Sequence, residues 1–261
     1  MPLLADRFRL MAPDLPGFGQ SEMPAGSRFP YTFENLIQRM ERFTGAFNLE
    51  RFARHILNYG APVGPKMVLK HPERIAAIIS QNDNACDEGQ STDWDLMKDC
   101  WIHSAAEYRK SQQVAFTLEA TCGRYVQSVV DTALVSPDGG GLDDFYLGRP
   151  GAHGAPPNPL TDYGGDVALH PTFQRYFRPY QSPPLAAWGK HDPYFVYAGA
   201  EAFRRVCPAT TCVCSTLGIL LWRPIVEGSP KLLGNSSAPW PRGTWAATDV
   251  EFGVRGRREE K

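Results

Sequence analysis

The run Asp14-Leu15-Pro16-Gly17-Phe18-Gly19-Gln20-Ser21 constrains the fold of this chain more than any other feature. Glycines on both sides of Phe18 let the backbone turn where a residue with a Cβ would be strained. The run follows a stretch that reads as a short strand, Phe8 to Ala12. Alone it is a loop signal. Two further segments give it context: Asn58-Tyr59-Gly60-Ala61-Pro62-Val63-Gly64, and Trp188-Gly189-Lys190-His191-Asp192-Pro193.

Between these segments the hydrophobic pattern alternates in period. Phe33, Leu36, Ile37, Met40, Phe43 and Phe47 recur at helical spacing over 32–47, with Thr32 as a plausible N-cap. A strand is predicted at 52–57, then a tight turn at Asn58 to Gly60 and a helix ending near Lys70, stopped by His71-Pro72. Ile75 to Ser80 reads as a fully buried strand. Strand, helix, strand at this spacing is a parallel-sheet unit, whose crossover is right-handed in nearly all proteins. From Asp83 to about Gln181 helical stretches are interrupted by Gly/Pro-rich segments, Pro137-Asp138-Gly139-Gly140-Gly141 and Pro156-Pro157-Asn158-Pro159 among them. Leu185 to Trp188 returns to a strand and Gly199 to Val206 to a helix. No internal repeat is present.

Together the three segments closely resemble the α/β-hydrolase fold family, in particular its epoxide-hydrolase and haloalkane-dehalogenase-like branch, over about residues 1–207. The resemblance implies an α/β core, a mostly parallel sheet flanked by helices, with an inserted helical cap. Residues 1–82 are expected to form the first part of the core, 83–181 the cap, 182–222 the returning core, and 223–261 a divergent, poorly ordered tail. The strands and His-Gly-type loop that precede the opening run in related proteins are missing, and similarity fades after Pro208.

In this fold the nucleophile sits on a strained strand-to-helix turn beside a helix N-terminus, where backbone N–H groups stabilise an oxyanion. The resemblance puts an aspartate there; this chain has Asn58, followed by Tyr59. A carboxylate attacks carbon to give an ester, whereas a neutral amide has a far poorer lone pair for that displacement. A serine enzyme is not an alternative, because no Gly-x-Ser-x-Gly occurs. Asp192 falls at the position of the triad acid, whose task is to orient a histidine; on turn chemistry alone, Asp192-Pro193 is a strand-end turn. The histidine should follow the acid, yet the six histidines are at 55, 71, 103, 153, 170 and 191, and Ile219 stands where related proteins carry the base. His191 adjoins Asp192 but should point away from it. Tyr59 is expected to supply one oxyanion N–H or to line the pocket, and of the tyrosines at 108, 125, 146 and 163, whose phenols are candidates for holding an epoxide oxygen, Tyr163 is the first choice. Arg54 and His55 place polar side chains on what should be a central strand, and Pro65 falls either in the tolerated first turn of the next helix or inside it.

Composition narrows the partners. A formal charge of −1, from 27 basic and 28 acidic residues, provides no field for nucleic acid or an anionic membrane. Asp6, Arg7 and Arg9 interrupt any signal-peptide core, no run reaches the ~18 apolar residues of a membrane span, and a cytoplasmic location is expected. Cys207, Cys212 and Cys214 lack the fourth ligand of a structural zinc site, so no metal is expected; nor does the resemblance imply any cofactor. The expected partner is a small apolar molecule, and the oligomeric state is left open. The family activity is hydrolysis of an epoxide or alkyl halide through a covalent ester, expected to be impaired in this form. The alternatives are a non-catalytic small-ligand-binding protein, or a truncated or mis-spliced product of an active hydrolase gene.

Overall fold

A computed structural model describes residues 8–58, 60–83, 86–95, 98, 117–127, 129, 131–152, 163–165, 167–180 and 184–215. Four parallel strands, β1 (Phe52–Leu57), β2 (Ile75–Gln81), β3 (Pro184–Gly189) and β4 (Thr211–Ser215), lie in the order β1-β2-β3-β4. β2 is buried at every position except Ile79, as expected of a strand covered on both faces. Trp188 of β3 and Phe33, Leu36 and Ile37 of the first helix belong to the same apolar core.

The helices follow from their patterns and caps. α1 (Phe33–Ala46) starts where Thr32 Oγ1 accepts the Asn35 N–H at 3.3 Å, and it buries Phe33, Leu36 and Ile37. Phe47, read as part of that apolar face, lies past the helix end and is exposed, against Phe43 at 4.8 Å. α2 (Gly60–Lys70) connects β1 to β2 and packs on both β1 and α1. Pro65 is inside this helix, beyond its first turn, so the Ala61 carbonyl loses its helical donor. α5 (His170–Tyr180) packs against α2 and against α6 (Ala198–Val206), the crossover between β3 and β4; α3 (Leu118–Val126) and α4 (Pro137–Leu147) come earlier in the chain and form a hairpin.

Three further sequence expectations change. Phe8 to Ala12 has no strand assignment, because it takes part in no ladder with a described strand. Pro137 to Gly141 is not a break: it is the first half of α4, with Ser136 accepting the Asp138 N–H at 3.2 Å and Pro137 in the first turn, where its missing N–H costs nothing. Its glycines permit close packing. A Cβ on Gly139 would stand 2.5 Å from the Tyr125 ring, one on Gly140 3.0 Å from Cys122 Sγ, and Tyr125 Oη donates to Asp143 Oδ2 at 2.7 Å. Finally, β1 is at the edge of the described strands rather than central, which accommodates its polar residues. Arg54 Nη1 donates to Met67 Sδ at 2.7 Å, and burial lowers the guanidinium to about 10. His55 Nε2 contacts Gln81 Oε1 at 3.1 Å on the opposite face; its residue is exposed overall, but the protein around the ring lowers its pKa.

No helix among the described residues is long and apolar enough to cross a membrane. Among the described residues no group of three His, Cys, Asp or Glu side chains is placed to hold a metal ion.

Gly64 and Gly45 provide a paired test of this packing. A Cβ on Gly64 would collide with the Ile56 side chain where α2 meets β1, whereas one on Gly45, in the last turn of α1, meets nothing within 4 Å. Gly64→Ala should lower unfolding free energy by about 1–3 kcal/mol, and Gly45→Ala should raise it by about 0.5–1 kcal/mol, both read from urea midpoints.

Candidate active site

The opening run is a loop closed on itself. Asp14 Oδ2 accepts the Gln20 N–H at 2.8 Å, Ser21 Oγ donates to the Asp14 carbonyl at 2.7 Å, and the Gly17 N–H reaches the Glu22 carbonyl at 2.9 Å. Gly17 and Gly19 adopt φ of 87° and 48°, and a side chain on Gly19 would strike the Asp14 carboxylate. Arg149, just after α4, ties the helical hairpin to this loop by donating from Nη1 to the Ser21 carbonyl at 2.9 Å.

Asn58 directly follows β1, in a turn at φ 50°, with α2 beginning two residues later. A left-handed residue between a strand and a helix is the geometry a strained nucleophile turn requires, and asparagine tolerates it better than most residues. Tyr59 lies outside the described residues, as do His103, Tyr108, His153 and the 223–261 segment.

The register brings the second feature to the same edge of the sheet. Leu57 pairs with Gln81, and Gln81 with Ala187, so the residues after β1, β2 and β3 emerge together at the strands' carboxyl ends. In parallel sheets that end is where ligands bind. Asp192 is there, 3% exposed, in a tight turn after β3. Its Oδ1 accepts the N–H groups of Tyr194 at 2.8 Å and Phe195 at 3.0 Å, and its Oδ2 accepts Asn82 Nδ2 at 2.6 Å. Burial pushes the Asp192 carboxyl up to about 6, with these three donors opposing the shift. The carboxylate is therefore part of the strand-end turn: the turn's own N–H groups hold it.

Two tryptophans anchor that turn. Trp188 Nε1 donates to the Phe195 carbonyl at 2.7 Å and Trp94 Nε1 to the Tyr194 carbonyl at 2.8 Å. The segment after β2 is laced to it by Ser91 N–H to Tyr194 O at 3.2 Å, Val196 N–H to Gly89 O at 3.0 Å, and a bridge between Gln90 and Phe195. Tyr163 is buried in the same aromatic group, 4.9 Å from the Trp94 ring and 6.2 Å from Phe33. Tyr125 and Tyr146 belong instead to the α3–α4 hairpin.

None of the described histidines is hydrogen-bonded to Asp192. His191 is exposed beside the buried Asp192, as the alternation predicts. His71 is at the surface, 3.8 Å from both Glu41 and Glu73. His170, at the start of α5, is buried with Nδ1 2.7 Å from Asp87 Oδ1; burial lowers its pKa and the aspartate opposes this. The arrangement can therefore present an amide on a strained turn and a fixed carboxylate at one sheet edge. It offers no imidazole between them among the described residues. Sequence reasoning passed over Asn82 and Trp94. The polar Gln81-Asn82-Asp83 directly after an apolar strand was the available signal for the first, and nothing marked the second.

Residues 1–216 match the family described as alpha/beta hydrolase fold. Over 209 residues the chain is 34% identical to the uncharacterized hydrolase YNR064C of Saccharomyces cerevisiae, a match covering 78% of this chain and 71% of that one. Over 80 residues it is 34% identical to a haloalkane dehalogenase of Psychrobacter cryohalolentis, 31% of this chain and 26% of the dehalogenase. Among solved structures it is similar to Cfl2 of Burkholderia cenocepacia, with a TM-score of 0.64 and 19% identity over 84% of this chain and 74% of Cfl2. A Pseudomonas aeruginosa protein held to be an epoxide hydrolase has a TM-score of 0.57 and 19% identity over 77% of this chain and 70% of its own. The chain belongs to the α/β-hydrolase fold family, within which it resembles the haloalkane-dehalogenase and epoxide-hydrolase branch.

Proposed function

We propose that this chain carries the site of a hydrolase acting on small apolar epoxides or haloalkanes through a covalent ester, with the chemistry silenced at the nucleophile. The observation that carries the reading is Asn58, at φ 50° on the turn between β1 and α2. In the full reaction a carboxylate oxygen displaces halide, or opens an epoxide, and forms an alkyl ester. Water activated by a base then cleaves the ester and regenerates the carboxylate. Asn58 has no anionic oxygen for the first step, and no histidine follows Asp192 in the sequence for the second. Asp192, held by Asn82 and two backbone N–H groups, retains the acid's place.

The two missing groups fail at different steps, so they are separable. Incubated with 1-bromohexane or styrene oxide, the wild-type chain is expected to release no bromide or diol above background. Asn58→Asp should release about one bromide per chain and stop, because displacement needs only the carboxylate and hydrolysis needs the base. Intact-mass spectrometry should then show the retained hexyl group. Wild-type turnover that disappears in Asn58→Ala would overturn the silencing, and a folded Asn58→Asp protein that acquires no adduct would overturn the ester site.

Binding without chemistry is the part of the reading that the aromatic group supports. Trp94, packed against Tyr163 and Phe195 over the Asp192 turn, is a natural reporter of an apolar ligand at this edge. Titrating wild-type protein with 1-hexanol should give saturable quenching of tryptophan fluorescence, and the saturable component should vanish in Trp94→Phe. A linear, non-saturating response in both proteins would count against a ligand here.

A further inference from the structure

Asn82 is fully buried directly after β2, at φ 42°, a conformation that only a few residue types accept without strain. Both halves of its amide are engaged. Oδ1 accepts the Gly189 N–H at 3.0 Å, which fixes the amide's orientation, so that Nδ2 faces Asp192 Oδ2 at 2.6 Å and the Gly189 carbonyl at 3.4 Å. Its own N–H reaches the Ala187 carbonyl at 3.3 Å, continuing the ladder between β2 and β3. One side chain thus spans the ends of two strands and places a donor on the acid's second oxygen.

We propose that Asn82 is the positioning residue of this site, fixing the Asp192 carboxylate in place and in its ionised form through a charge-assisted hydrogen bond across the ends of β2 and β3. The proposal rests on reading Asp192 as the site's acid. A neutral interior would return this carboxyl to its protonated form. Asn82 supplies the one side-chain donor among the three groups that hold it ionised. Tyr194 and Phe195 hold Oδ1 through the backbone of the turn and cannot restrain Oδ2, so without Asn82 that oxygen would be buried with no donor.

A reciprocal exchange tests this without any substrate, so it can fail while the silenced-ester reading stands, or hold while that reading fails. Asn82→Asp alone sets two carboxylates against each other, and Asp192→Asn alone sets two amide N–H groups against each other. Each should raise the unfolding equilibrium constant at pH 8 about tenfold or more. The double exchange restores the bond between the two side chains with its polarity reversed and gives up only the 3.4 Å bond to the Gly189 carbonyl: Asn at 192 keeps an oxygen for Tyr194 and Phe195 and donates to Asp at 82, whose other oxygen accepts the Gly189 N–H. It should return to within a few-fold of wild type. A double variant as unstable as the product of the two singles would overturn the proposal.

Asn82→Gly, which accepts the positive φ, provides the second readout. A carboxyl whose pKa in the fold lies above its unfolded value supports stability at low pH and loses that support as pH rises through the folded value. Removing the donor should move Asp192 upward from about 6, so the loss of stability in Asn82→Gly should grow by about tenfold in equilibrium constant between pH 5 and pH 8. Asp83, buried two residues past β2, and Lys190 and His191 in the Asp192 turn are the ionisable side chains that flank the pair in sequence. The same Asn82→Gly change in an Asp192→Leu background removes their contribution from the comparison, and its effect there should be independent of pH. An equal loss at both pH values with Asp192 present would reduce Asn82 to a packing residue and overturn the proposal.

Discussion

A carboxylate that is almost wholly buried obliges the structure around it. Asp192 is held by the backbone of its own turn and by Asn82, and each of those groups is held in turn. The carbonyls of Tyr194 and Phe195 are fixed by the indoles of Trp94 and Trp188, and the Asn82 amide by Gly189. The ends of β2 and β3, the segment after β2 and the turn after β3 therefore form one hydrogen-bonded unit at the carboxyl edge of the sheet. An unsatisfied buried charge is expensive, so none of these partners is dispensable without exposing or protonating the acid. The apolar core beneath, with Trp188 in both the core and the unit, gives this edge a rigid base.

Much of the fold was legible because periodicity and punctuation agree. α1 with its Thr32 cap, β1, β2 and the helix before β4 lie within a residue or two of where the pattern places them. The misses have specific physical causes. Pro137 to Gly141 reads as a break, because three successive glycines cost helix propensity; in the fold Gly139 and Gly140 let α4 approach Tyr125 and Cys122, and the tertiary contact outweighs the local preference. Phe8 to Ala12 has the composition of a strand, but a strand exists only through a neighbour. Arg54 and His55 looked costly on a central strand, whereas an edge leaves each room for its own polar or polarizable partner.

The site was legible in part, for a related reason. Asn58 and Asp192 stood out because each sits in a short stretch with several distinguishing residues. Asn82 did not, because its role depends on Gly189 and Asp192, more than a hundred residues away. A side chain whose partners are all distant in sequence leaves only a local trace, here the switch from apolar to polar after β2. Trp94 is the extreme case, since an indole at the end of a one-turn 3₁₀ helix, Thr92–Trp94, carries no sequence signal for the carbonyl it will hold.

What makes a nucleophile turn and what makes a nucleophile are separable requirements. The turn needs a residue that tolerates positive φ, a strand ending before it and a helix starting after it, and Asn58 meets all three. Nucleophilicity needs an anionic oxygen, which contributes nothing to that backbone geometry. Exchange of aspartate for asparagine is therefore nearly invisible to the fold, because the two side chains are almost isosteric and both accept the left-handed conformation. The acid differs, because its partners are arranged around its charge: two backbone N–H groups and one amide all donate to it. A turn of this kind can thus carry an amide at little structural cost, whereas replacing the buried carboxylate would strand the three donors around it. The three donors around Asp192 speak to the packing of the sheet edge before they speak to catalysis.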